Sequence, residues 1–418
     1  MSKLTGFLNE WSLFVLAFSC FGCLFAFRPA TGVLTLIIIA GGLLVAINTK
    51  FRALFVASFR HERLKWIAWP FVAWFLVAIM ISVAHLESSK FHFPENELRF
   101  VLALSILCFT VRKKTKYAFY AGLIVGAFVA GAWVFYEREI LGVWRMQGTT
   151  NNPIHFGNLT ALLALLSFSA ALVDTEIGIG WRSTLFLSAL VGTFASMSSL
   201  TRSSAILVIC AIPLIWLPQK DFWRDFFIKV TSLFLVAVIF AIMFSTQVRE
   251  RLRVHELTAA FGNSQEINYE SLTSNRANMW QAAILMFKEH PMTGVGPAGF
   301  SQAFEAFEAL AAEGKVQKTV FHNQPHNDIL YAASMGGVGK LLACLALIFL
   351  PFLFFYKSYQ AKVDIVFKIP SILGMQVVCG FFLTGWTNSN FDLQIYSTTY
   401  AVLVCVLAKL SMLIESES

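Results

Sequence analysis

The chain has 418 residues, 57% of them hydrophobic and 13% charged, with 42 Phe and 11 Trp. That balance excludes an ordinary water-soluble domain and places the chain in a membrane. The formal charge of +8 would suggest nucleic acid for a soluble protein, but in a membrane protein Lys and Arg mark the cytoplasmic side, so their distribution matters more than their sum.

Hydropathy predicts about twelve spans, near 11–27, 30–48, 66–84, 100–111, 117–136, 154–173, 184–199, 203–218, 227–246, 330–356, 369–386 and 393–413. The first lacks a small-residue cleavage site and runs almost directly into the second, so it reads as a retained span rather than a signal peptide. With the amino terminus in the cytoplasm, positive charge collects in the cytoplasmic connections: Lys50, Arg52, Arg60, Arg63 and Lys65 in one, Arg112, Lys113, Lys114 and Lys116 in the next. Lys220, Arg224 and Lys229, then Lys357, Lys362 and Lys368, follow the same rule, and both termini face the cytoplasm. The outer loops carry only scattered cations, Arg28, Lys90, Arg99, Arg138, Arg145 and Arg202. All seven cysteines fall in apolar stretches, where they serve as small hydrophobes and imply no disulfide framework.

One integrated membrane domain is expected, with spans 1–9 over residues 1–246, an outer loop over 247–325 and spans 10–12 over 326–418. The loop is too long for a passive turn. Asn275 is a cap candidate for a helical pattern of Trp280, Ala283, Ile284 and Phe287 that stops at His290-Pro291, and Phe300, Phe304 and Phe307 recur at helical spacing beyond it. These read as amphipathic helices that lie on the membrane domain and roof a lateral cavity.

Three side chains on the outer side are candidates for chemistry. Arg202, in a tight turn between two apolar spans, is either a snorkelling interfacial arginine or a guanidinium that meets an anionic ligand. Arg276 follows Asn275 in what the pattern makes a first helical turn, where free N–H groups and a guanidinium fork suit a pyrophosphate; a solvated loop arginine is the bland alternative. His326 stands where the loop meets the next span, either as a catalytic base titrating near neutrality or as a cap, with Asn327 and Asp328 beside it.

His322 precedes His326 by four residues, but Pro325 between them argues against a helical metal site, and no metal or cofactor is expected. Gly294-Val295-Gly296-Pro297-Ala298-Gly299 satisfies the dinucleotide fingerprint literally, yet follows a helix rather than a strand; a sharp turn against another backbone is the better reading. Asn152 and Asp392 lie in two further outer clusters, as supporting residues for sugar hydroxyls or an arginine, or simply as turn formers.

Taken together, Arg276…Trp280…His290-Pro291-Met292-Thr293-Gly294-Val295-Gly296-Pro297…Phe300, then His326-Asn327…Leu330 and Gly336-Gly337, resemble the O-antigen ligase and polymerase superfamily. The Ser199…Thr201-Arg202-Ser203 segment resembles its arginine-bearing outer loop, although Leu-Thr-Arg-Ser-Ser stands where relatives often have a Ser-Arg-Gly-like run. The resemblance implies an all-α, GT-C-like polytopic enzyme of the bacterial inner membrane. Its substrate would be a glycan on undecaprenyl pyrophosphate, transferred at the periplasmic face. Length, and the lack of a soluble carboxy-terminal domain within these residues, resemble the ligases, which use lipid A-core as acceptor; a polymerase or related oligosaccharyltransferase stays open.

In that reading Arg202 and Arg276 stabilise the departing diphosphate and His326 takes the acceptor's proton in a metal-free inverting displacement. A lipid or polysaccharide transporter is the expectation from another class, disfavoured because the distinctive polar residues gather on one side.

Overall fold

The computed structural model describes residues 30–86, 92–109, 111, 115–174, 176–201, 203–204, 269–297, 299–312, 324–362 and 365–412. The expected spans at 11–27 and 227–246, most of 203–218, and the residues Arg202 and His322 lie outside the described residues. Among the described residues the protein is all-helical, a polytopic membrane protein. Its helices are α1 (Ala30–Ile47), α2 (Thr49–Arg60), α3 (Lys65–Ala84), α4 (Glu95–Ala103), α5 (Thr115–Glu139), α6 (Pro153–Val173) and α7 (Ile179–Ser198). They continue with α8 (Tyr269–Glu289), α9 (Gly299–Ala312), α10 (Asp328–Gln360), α11 (Ile365–Gly385) and α12 (Gln394–Ser411).

Helices α3, α5, α6, α10, α11 and α12 are long and apolar enough to cross a bilayer. The most apolar stretch of α6 is wholly buried, whereas that of α3 is 44% buried. Thus α6 is the axle of the bundle, and α3 turns Leu76, Met80 and Val83 outward as lipid-facing surface. Polar side chains in this core bond to one another, as where Gln376 Nε2 donates to Ser169 Oγ at 2.7 Å. Cys108, Cys344, Cys379 and Cys405 are free thiols.

Three departures from the expected spans have local causes. Asn48 caps α2 through its side chain, and α2 turns 103° away from α1 instead of prolonging it. The expected span at 100–111 is instead α4 followed by a 3-10 turn over Leu104–Cys108. Nine helical residues and five 3-10 residues rise only about 23 Å, yet they reach from the Asp392 turn, where Asn96 Nδ2 donates to the Asp392 carbonyl, to the far end of α12, where Lys409 Nζ donates to Leu107 O at 2.9 Å.

The third departure is the most consequential. Helix α10 breaks at Gly337 (φ 62°, ψ −159°), and its two limbs fold back on one another. Cys344 Sγ lies 3.9 Å from Asp328 O, whereas sixteen residues of continuous helix would separate them by about 24 Å. The crossing limb is therefore 338–360, roughly 34 Å long, and the apolar run before it, counted in the expected span at 330–356, is a separate short limb.

The backbone groups opened by this break are closed by the segment that follows α8. Val295 N donates to Ser334 O (2.9 Å), Gly296 N to Met335 O (3.1 Å) and Val338 N to Pro291 O (2.8 Å). Gly294 (φ +62°) lies so close to the break that a Cβ would fall 2.4 Å from Gly336 N. The glycines of the fingerprint-like motif thus form a turn against another backbone, as their placement after a helix predicts.

Helices α8 and α9 are amphipathic and pack through Met279, Ala282, Ala283, Met286, Phe300 and Phe304 onto Met335. The buried face of α8 is rotated from the expected one, and Ile284 is exposed. Alanines and methionines make the close contact with the short limb, and the larger Trp280 stays at the edge, where its N–H finds a partner.

Candidate active site

Among the described candidates, Asn152, His326, Asn327 and Asp392 lie at the end of the bundle where α6 and α12 begin and α7 ends. Asn152 is the cap of α6: its Oδ1 accepts from Ile154 N (2.9 Å) and His155 N (3.4 Å), with Pro153 in the first turn. That is the turn-forming role, and it fixes His155 just inside the helix. The His155 ring meets Tyr396 of α12 edge-on, with centroids 5.3 Å apart.

Tyr396 is tied through Asn158 to the arginine-bearing turn. Asn158 Nδ2 donates to Tyr396 Oη (3.3 Å), and Ser203 Oγ donates to Asn158 Oδ1 (2.7 Å). Thr201 Oγ1 donates to Pro153 O (2.9 Å), and Leu200 takes a left-handed conformation (φ 52°) that lets the chain turn over the end of α6. The residues on both sides of Arg202 are therefore buried and bonded to α6, next to His155.

His326 lies directly before the short limb of α10. It is half-buried and left-handed (φ 52°), so it is not a member of the helix; Asn327 is the cap, accepting from Ile329 N and Leu330 N at 3.0 Å each. Asp328 is fully enclosed and accepts from Phe391 N at 3.0 Å, which fixes the turn over 390–392. His326 and His155 are close enough for their charges to interact.

Arg276 is carried by α8. The helix begins at Tyr269, not after Asn275, so Arg276 belongs to its interior and offers no free N–H groups to an anion. Its guanidinium is what remains of the anion-binding expectation. Trp280, one turn later on the same face, donates from Nε1 to Pro325 O at 3.0 Å. This bond holds that face of α8 against the residue preceding His326.

Asp392 is on the other side of the short limb, hydrogen-bonded to Tyr331. Burial raises its carboxyl above the ordinary carboxylate range, against the opposing effects of the Tyr331 bond and the Lys340 and His92 charges. Nearby, Lys340 Nζ pairs with Glu97 Oε1 at 3.0 Å, both side chains nearly enclosed, and lies 5.1 Å from the Trp74 ring.

Residues 184–344 match the family model described as O-Antigen ligase. The chain carries an O-antigen ligase family domain. This domain runs from α7 past the break in α10, and it contains Arg202, Arg276, His322, His326 and Asn327 together with the turn that clips α8 to α10. Members of the family are glycosyltransferase-like enzymes acting on lipid-linked glycans. Among curated proteins none matches the chain.

Three residues beside the site lie outside the O-antigen ligase domain: His155, which closes the outer cluster over 145–155 but receives no role of its own from the sequence, and Asn158 and Tyr396, which the sequence does not single out. For His155 a signal existed, since Asn152-Pro153 marks a helix start and places it in the first turn. Nothing local marks Asn158 or Tyr396, which read as ordinary span residues.

Proposed function

We propose that the protein is an O-antigen ligase that transfers a glycan from undecaprenyl pyrophosphate to lipid A-core oligosaccharide at the periplasmic face of the bacterial inner membrane. The observation that carries this reading is the Trp280–Pro325 hydrogen bond, which joins the arginine-bearing face of α8 to the chain at His326. The cations assigned to the cytoplasm support the orientation: Lys50, Arg52, Arg60, Arg63, Lys357 and Lys362 cluster at the opposite end of the helices from His326.

In this reaction His326 takes the proton from an acceptor hydroxyl as its oxygen bonds to the anomeric carbon. The bond from that carbon to the phosphate oxygen breaks, with inversion. Undecaprenyl diphosphate departs with the bonding electrons, its growing charge balanced by Arg276 and Arg202. The donor is already activated, so neither ATP nor a metal is required.

The test is reconstitution in proteoliposomes with undecaprenyl-pyrophosphate glycan and either lipid A-core or a second lipid-linked repeat, with and without chelator. The ligase reading expects product only on lipid A-core, unaffected by chelator. Arg276→Ala and Arg202→Ala should each lower kcat by about 10²–10³-fold, and His326→Ala by about 10²–10⁴-fold. Normal transfer by all three variants would refute the mechanism, and extension of the lipid-linked repeat would make the enzyme a polymerase.

A further inference from the structure

The side of the short α10 limb that faces α3 and α4 carries a chamber of about 390 Å³ that none of the steps above uses. Tyr331, Asp392 and the Glu97–Lys340 pair form its inner wall; His92, Phe93, Glu95 and Pro297 stand around its mouth. At roughly 30 Å³ per water its volume matches about thirteen waters, the order of what one or two pyranose rings displace.

The lining also fits sugar by its chemistry. Carboxylates, an amide, a tyrosine hydroxyl and an ammonium converge there, with the half-exposed Phe93 ring at the rim as an apolar face. Its charge argues against a different occupant. Three carboxyl groups, Glu95, Glu97 and Asp392, outnumber the Lys340 ammonium and the His92 imidazole, so the lining disfavours a diphosphate, which belongs with the arginines. The chamber is also joined to the reaction centre, because the 390–392 turn that supplies Asp392 is held by the Asp328 carboxylate, two residues from His326.

The geometry points to a subsite for uncharged saccharide units in this chamber, which holds a sugar of the glycan or acceptor across the short α10 limb from His326 while the arginines hold the diphosphate. This inference rests on the transferase reading for the origin of the sugar. Its binding test does not.

The full chain in nanodiscs is photolabelled with a diazirine-bearing methyl hexopyranoside or the matching methyl hexuronide, and the label is mapped by mass spectrometry. The neutral probe should label peptides covering 92–97 and 331–340, and the hexuronide should label them roughly tenfold less. Ala78→Phe, which fills the chamber from α3, should abolish labelling, and Glu95→Arg, at the exposed rim, should bring the hexuronide up to the neutral probe; Arg276→Ala should label as wild type. Label elsewhere, equal labelling by both probes in wild type, or full labelling of Ala78→Phe would overturn the subsite. Labelling without any glycan transfer would sink the ligase reading alone. Where transfer occurs, competition of the methyl hexoside with donor or with acceptor identifies whose sugar the chamber holds, and competition with neither counts against it.

Discussion

Replacing Gly294 with Ala tests the connection between α8 and the broken helix. The new Cβ would lie 2.4 Å from Gly336 N and from the Met335 carbonyl carbon and 2.5 Å from Ser334 O, all backbone atoms that no rotamer change can move. Holding a non-glycine residue at φ +62° costs about 1–2 kcal/mol. Relieving the overlap means parting the clip from the limb, and the bonds from Val295 N and Gly296 N are worth roughly 0.5–1.5 kcal/mol each. Together these amount to about 2–5 kcal/mol, or a drop in amide protection of roughly thirty- to several-thousand-fold. Hydrogen exchange read by mass spectrometry should find that loss in peptides from the end of α8 and from 328–336, with α6 and α12 unchanged. Gly180→Ala is the control, because nothing lies within 4 Å of its Cβ, and it should be neutral or stabilising by up to about 1 kcal/mol. Wild-type exchange over 328–336 in Gly294→Ala would refute the clip.

Lys340→Met leaves Glu97 enclosed without its partner and should destabilise by about 3–5 kcal/mol, while the double variant with Glu97→Gln should recover most of that; denaturation midpoints in mild detergent decide. Asn158→Ala deprives Ser203 and Tyr396 of their shared partner and should cost about 1–3 kcal/mol, with a larger fall in transfer than in expression because the arginine turn loses its anchor; equal falls would count against that anchoring. The raised carboxyl of Asp392 stabilises the fold fully below the ordinary carboxylate range, and this contribution is lost as pH rises through its folded value. Asp392→Asn should therefore gain stability over wild type at neutral pH and lose that advantage on acidification; an advantage that grows toward acid would reverse the sign.

Much of the framework was legible because hydropathy alone marks spans such as α3, α6 and α12, and their ends fell close to the observed ones. What escaped was geometry carried by few residues. The sharp bend at Asn48 needed a cap to be weighed against continuous apolarity. Glu95, Glu97 and Arg99 hid the start of α4 by lowering its hydropathy, although Glu97 has a buried partner. The fold-back at Gly337 is marked only by the Gly336-Gly337 pair, since the residues on either side are equally apolar. In the candidate site, the sequence exposed side chains with intrinsic reactivity, His326 and Arg276, but not those acting through packing, such as Tyr396. It also misplaced the start of α8, because Asn275 has the chemistry of a cap and nothing before it forbids helix.

The fold-back of α10 has a bearing on where such a reaction takes place. From the crest at Gly337 the short limb descends about 13 Å to Asp328, which sets the backbone of His326 about that far below the crest. In the proposed orientation that depth brings the base down toward the lipid headgroups. A donor anchored by its polyprenyl tail would then meet the enzyme without being hoisted out of the bilayer, and the acceptor sugar would be the partner that travels.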